Sequence, residues 1–122
     1  MAKRNEVLFD TNFLITCVKE KVDCFEQLEL EGINSFLVPN KVFDELTKLA
    51  KKNQTARVAL EILNKKTPII VDLGTAYADK AIIQYAKKHP DIKIATLDAE
   101  IRSKIRNIKV GIKKSEKRIV FS

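Results

Sequence analysis

The chain has 122 residues, 45% of them hydrophobic, which suits one globular domain over 1–122 and excludes a disordered tail. Cys17, Cys24 and His89 are too few and too scattered for a disulfide framework or a zinc site, and no apolar run is long enough to span a membrane. The net charge is +7 and all of it sits at one end: residues 102–122 carry eight Lys and Arg against Glu116 alone, whereas residues 1–101 are balanced. Such a basic C-terminal region attracts a polyanion, most commonly nucleic acid. The opening MAKRNE has no secretory pattern, so reduced thiols and a cytoplasmic location are expected.

Taken in order, residues 6–9 read as a short apolar strand and residues 11–18 as a helix. Phe25, Leu28 and Leu30 suggest a second, short helix. SFLV at 35–38 is a predicted strand. It is followed by a helix over 40–52 with Asn40 as its N-cap, and by another over 56–63. PIIV at 68–71 reads as a buried strand with Pro68 at its first position. A helix over 75–88 ends before Pro90, a strand covers 92–96, a helix covers 98–106, and RIVF at 118–121 is a final strand. Strands alternating with helices predict an α/β sandwich with a largely parallel central sheet.

The stretch VLFDTNFLI at 7–15 sets Asp10 among apolar residues at the end of the first strand. Asp98 stands likewise two residues after Thr96. Two further acids are picked out by helical spacing. In the 40–52 helix, Lys41, Asp44 and Lys48 share the wet stripe, whereas Glu45 lies near Val42 and Leu49 and leans inward. In the 75–88 helix, Lys80, Gln84, Lys87 and Lys88 form the wet stripe, and Asp79 neighbours Ala76, Ile82 and Ile83. An inward carboxylate costs several kcal/mol unless it is paired or bound to a cation. Four such acids suggest a hard divalent cation, which takes oxygen ligands, activates water and neutralises a phosphodiester. Each acid also has a structural role open to it. Asp10 and Asp98 suit helix N-caps, and Glu45 and Asp79 could reach solvent or pair with Lys.

With these residues in view, the chain resembles the PIN-domain ribonucleases. The resemblance rests on VLFDTNFLI at 7–15, VPNKVFDELTKL at 38–49, ADKAIIQYA at 78–86 and IATLDAEIRSKI at 94–105, and it covers nearly the whole chain. It implies a three-layer α/β/α sandwich and a metal-dependent endoribonuclease. Asp10, Glu45, Asp79 and Asp98 would hold Mg²⁺ or Mn²⁺, with Thr96 supporting them. Glu100 lies where many members carry an additional acid, and its first-turn position equally suits the helix dipole. Arg102, Lys104, Arg106, Lys113 and Lys114 of the basic region are the expected RNA contacts.

Two branches of the family fit. One comprises toxins of toxin–antitoxin pairs, the other nucleases that process ribosomal RNA. Many toxins have Phe where this chain has Ile101, and the basic region suits a large structured RNA, which tilts the reading toward processing. Expected partners are RNA, an antitoxin or a ribosomal precursor particle, and a second copy of the chain. The rival reading is a non-catalytic RNA-binding module on the same fold. A dehalogenase-type phosphatase would need an acid at Asn12, a receiver domain would need an acidic pair after its first strand, and a dinucleotide site would need a Gly-rich turn.

Overall fold

Val7, Leu8 and Phe9 are wholly buried, as in a strand covered on both faces. They belong to β1 (Glu6–Phe9), which lies in the middle of the sheet. This computed structural model describes residues 5–74 and 77–122. After β1 come α1 (Thr11–Lys19), α2 (Cys24–Leu30), β2 (Ser35–Pro39), α3 (Asn40–Ala50), α4 (Gln54–Lys65) and β3 (Ile69–Val71). They are followed by α5 (Ala78–Lys88), β4 (Lys93–Ala95), α6 (Ala99–Lys104), β5 (Lys109–Lys113), a 3₁₀ turn (Lys114–Glu116) and β6 (Arg118–Phe121). Thr75 and Ala76, the expected start of the 75–88 helix, lie outside the described residues.

The sheet order is β3-β2-β1-β4-β5-β6, parallel throughout except for the antiparallel β5–β6 pair. From β1 the chain steps outward to β2 and β3, then returns past β1 to β4 and β5. Crossovers are right-handed, so this reversal puts α1 to α4 on one face and α5 and α6 on the other. The contacts agree: α1, α3 and α4 pack together, and α5 packs on α6. The expected α/β/α sandwich with a largely parallel sheet is therefore the fold. No helix among the described residues is long and apolar enough to cross a membrane. Cys17 and Cys24 are free and buried.

Four local expectations need correction. PIIV is not buried: Ile69 is 45% and Ile70 44% exposed, because β3 is a three-residue edge strand. An apolar run reports affinity for a core but not the strand's place in the sheet. Asn40 does not cap α3, whose N-cap is Pro39 without a side-chain bond. The Asn40 amide instead accepts from Leu73 N–H at 3.0 Å and donates to the Gly74 carbonyl at 3.4 Å, pinning the loop after β3. The helix expected over 98–106 is shorter, Ala99–Lys104, with Asp98 as its cap. Finally, KVGIK forms β5, which the sequence pattern missed because two Lys and a Gly dilute its alternation.

The β5–β6 hairpin turns through Lys117 in the left-handed region and is clipped to α2 by one side chain. The Gln27 amide donates to the Lys117 carbonyl at 3.2 Å and accepts from Ile119 N–H at 2.7 Å. Buried Asn107 similarly ties the start of β4, donating to the carbonyls of His89 at 2.9 Å and Ile92 at 3.0 Å.

Candidate active site

The chain reverses its direction across the sheet between β1 and β4. In parallel α/β sheets the crevice outside such a switch point is where ligands bind. Asp10 and Thr96 follow these two strands directly. The Asp10 N–H donates to the Ala95 carbonyl at 2.9 Å, continuing the ladder by one bond and fixing the two strand ends side by side. Asp10 is the N-cap of α1. Its Oδ1 accepts from Thr11 N–H at 2.8 Å and its Oδ2 from the Thr96 hydroxyl at 2.9 Å. Thr96 is fully buried, and its oxygen also accepts from Asp98 N–H at 3.1 Å. Asp98 in turn caps α6, with Oδ1 accepting from Glu100 N–H at 2.8 Å and Ile101 N–H at 3.3 Å. Capping and site placement are thus the same feature for both acids.

Glu45 is more open than its spacing suggested. The buried stripe of α3 is Val42, Leu46 and Ala50, which puts Glu45 at its margin and exposed, like Asp44. Its carboxylate still reaches the site, accepting from the Thr11 hydroxyl at 3.3 Å. Asp79 is half-buried in the first turn of α5, where its Oδ1 accepts from Lys80 N–H at 2.8 Å. Its charge bears on Lys104 of α6, whose ammonium is held above its ordinary range first by Glu100 and then by Asp79. The Glu100 carboxylate itself pairs with Lys104 at 2.8 Å.

Asp10 is the electrostatic centre. Burial, the largest cause, pushes its carboxyl above the usual carboxylate range, while the bonds from Thr96 and Thr11 pull it back and the charges of Asp98 and Glu45 raise it further. Of the expected acids, Asp98 and Glu45 thus bear on Asp10. Among the described residues, however, no three His, Cys, Asp or Glu side chains are close enough together to hold a metal ion. The donor set fits a hard divalent cation in chemistry: it is all oxygen, and it includes a desolvated carboxylate whose ionisation a cation would favour.

The basic residues divide. Arg106 is exposed, and Lys113 and Lys114 stand on the hairpin, Lys113 paired with Glu116 and Lys114 3.9 Å from Glu20. β5 is parallel to β4 and runs three residues beyond Val110, the partner of Ala95, and the hairpin tip lies against α1 and α2, with Lys114 beside Glu20, the C-cap of α1, and Lys117 bonded by Gln27. Arg102 differs: its guanidinium donates to the Thr96 carbonyl at 2.9 Å and the Ser122 hydroxyl at 3.0 Å. A groove of about 840 Å³ lies elsewhere, between α1, α2 and α4; it is mainly apolar and includes none of the four acids.

Sequence reasoning missed Thr11, which is buried and joins Asp10 to Glu45. Its place next to Asp10 in the DTN stretch was the available signal. It also missed Asn40, whose role depends on a loop more than 30 residues away.

A half-buried aspartate between two parallel strand ends, with Glu45 and Asp98 bearing on it, marks the crevice of a parallel α/β sheet as the candidate site. The PIN-like domain profile matches residues 7–117, and the chain belongs to that family. It is 30% identical over 121 residues to ribonuclease VapC4 of Methanocaldococcus jannaschii, covering 92% of each chain. It is 33% identical over 106 residues to the rRNA-processing protein fcf1 of Schizosaccharomyces pombe, covering 84% of this chain and 54% of that one. Against the human rRNA-processing protein FCF1 homolog the identity is 29%, over 84% of this chain and 52% of that one. The chain thus spans about half the length of these rRNA-processing relatives. Among solved structures, the PIN domain endonuclease Utp24 superposes with a TM-score of 0.81 at 26% identity, covering 96% of this chain and 90% of that one.

Proposed function

We infer that this chain is an endoribonuclease that hydrolyses RNA phosphodiester bonds with a divalent metal ion, Mg²⁺ or Mn²⁺, either in ribosomal RNA processing or as a toxin held by an antitoxin. The observation that carries the reading is Asp10, half-buried between the Thr11 amide and the Thr96 hydroxyl and under the charges of Asp98 and Glu45. Asp10, Glu45, Asp79 and Asp98 would hold the cation, which supplies an activated water and neutralises charge on the phosphodiester.

The chain's own residues do the rest. Thr96 holds Asp10 Oδ2 in place, and Thr11 links Asp10 to Glu45, so these two acids face the substrate in one arrangement. Arg106, Lys113 and Lys114 bind the RNA backbone and offset the negative charge of the acids. Membership of the PIN-like family and similarity to a ribonuclease, rRNA-processing proteins and an endonuclease support this reading over a purely binding role. Free Cys17 and Cys24 agree with a reducing, cytoplasmic setting.

The test is cleavage of a structured RNA by the purified chain with Mg²⁺, with Mn²⁺ and with chelator. Cutting should need the metal and vanish in Asp10→Asn and Asp98→Asn. Equal cutting in chelator, or undiminished cutting by both variants, would overturn the proposal.

A further inference from the structure

We propose that Arg102 is a positioning residue that holds the acid-bearing strand end in register, not an RNA contact. The proposal rests on the endoribonuclease reading. The β4–β5 ladder pairs Ile94 with Lys109 and Ala95 with Val110, and Thr96 lies one residue past its end. Thr96 is nevertheless fully buried, and a buried carbonyl needs a donor. Arg102 supplies it at 2.9 Å, standing in for the ladder bond that β5 does not make.

The same guanidinium reaches the Ser122 hydroxyl at 3.0 Å. Ser122 is itself fixed, since its N–H and carbonyl exchange bonds of 2.9 and 2.8 Å with Lys109. Between these anchors the guanidinium crosses β5 at Gly111, where an added Cβ would lie 3.5 Å from Nη1. That is ordinary contact distance, so the guanidinium packs directly over the strand at this position.

From Thr96 the chain of contacts runs directly into the site. The Thr96 hydroxyl donates to Asp10 Oδ2 and accepts from Asp98 N–H. Arg102 N–H also bonds the Asp98 carbonyl at 3.0 Å, so Asp98 is held from both ends of its turn. One guanidinium thus fixes the segment that sets both acids. A planar fork can span two fixed acceptors, whereas a Lys ammonium at the end of a flexible stem cannot reproduce that geometry. With one donor on each terminal nitrogen engaged within the protein, the Arg102 guanidinium is tethered and less free than its basic neighbours to follow a phosphate backbone.

The experiment compares the full chain with Arg102→Lys, which keeps charge and loses the fork, and with Ser122→Ala, which removes one exposed hydroxyl and leaves the fold intact. In Mn²⁺, Arg102→Lys is expected to lower kcat by roughly tenfold to a hundredfold, the range for misplacement near one ångström, with KM for RNA within about twofold. Ser122→Ala should lower kcat too, and by less than Arg102→Lys does, because it removes one anchor of two and leaves the bond to the Thr96 carbonyl. In chelator, RNA binding by Arg102→Lys should keep the wild-type salt slope. Independently of cleavage, amide exchange at Asp98 in the metal-free protein should speed up in Arg102→Lys, because its acceptor on Thr96 is loosened. Unchanged exchange overturns the positioning role even if wild type does not cleave, a result that would instead sink the endoribonuclease reading. Wild-type kcat in both variants also overturns it, as does a raised KM with a flattened salt slope, which would make Arg102 an RNA contact.

Discussion

The hydroxyl of Thr96 donates to the carboxylate of Asp10 at 2.9 Å, joining residues 86 apart in the chain. The bond exists because β1 and β4 are parallel neighbours whose carboxyl ends stop together, with Phe9 opposite Ala95. Thr96→Val keeps the shape and the burial but leaves Asp10 Oδ2 and Asp98 N–H without this partner. The expected result is loss of most cleavage together with about 1–3 kcal/mol of stability, the cost of unpaired buried polar groups. Thr96→Ser should recover much of both. Rate and melting measurements on the pair decide it: equal activity in Val and Ser variants would show that the hydroxyl is idle.

Asp10 should make the metal-free fold pH-sensitive in a definite direction. Its folded carboxyl is raised above the ordinary value of 3.8, so the native state prefers it protonated. Its contribution is therefore fully favourable below that value and is lost as pH rises through the raised folded value. Asp10→Asn, which cannot ionise, should gain stability relative to wild type over that window and hold a constant advantage above it. Melts of both proteins in chelator between acid and neutral pH test this. A wild type that gains on the variant as pH rises would contradict the sign.

Asp44 and Glu45 are adjacent, acidic and both exposed on α3, yet only Glu45 reaches Thr11. Asp44→Asn should leave cleavage nearly intact, with stability changed by at most about 0.5 kcal/mol, as for ordinary surface sites. Glu45→Gln should lose most activity. It should also leave the metal-free fold at least as stable as wild type, since it removes a charge that raises Asp10. The informative comparison is rate at saturating Mn²⁺ beside melts with and without metal; a dead Asp44→Asn and an active Glu45→Gln would mean that another face of α3 serves the site.

The hairpin should carry the backbone contacts. Replacing Arg106, Lys113 and Lys114 with Ala is expected to weaken RNA binding whatever the RNA sequence, and to flatten the salt dependence by roughly 0.7 per lost phosphate contact on a single strand. The Glu116 carboxyl, held below its ordinary range by Lys113 and then Arg118, shows that these cations already attract the acid within reach. Glu116→Gln should therefore free Lys113 and tighten binding at low salt. Titrations at several salt concentrations give both slopes, and an unaltered slope in the triple variant would assign the RNA to another surface.

The local chemistry was legible in the sequence alone. VLF followed by Asp10, and IAT followed by Leu97 and Asp98, announce strand ends carrying acids, because a buried apolar run and an N-capping aspartate are both short-range signals. The alternation of strands and helices was legible for the same reason, as was the concentration of positive charge after residue 101. Sequence spacing also separated Asp44 from Glu45, although it placed Glu45 too deep. Its reading of the α3 stripe used Leu49, which the structure leaves 37% exposed, in place of Leu46 and Ala50. Tertiary structure alone decided the rest, because those features depend on partners distant in the chain. Strand order made β3 an edge and β1 a centre, though both read as apolar runs. Pairing with β4 and β6 made a strand of KVGIK, whose own pattern is weak. The meeting of Thr96 with Ser122 across Gly111 turned Arg102 from one member of a basic cluster into a bridge, since a guanidinium answers to whichever acceptors the fold brings within its reach.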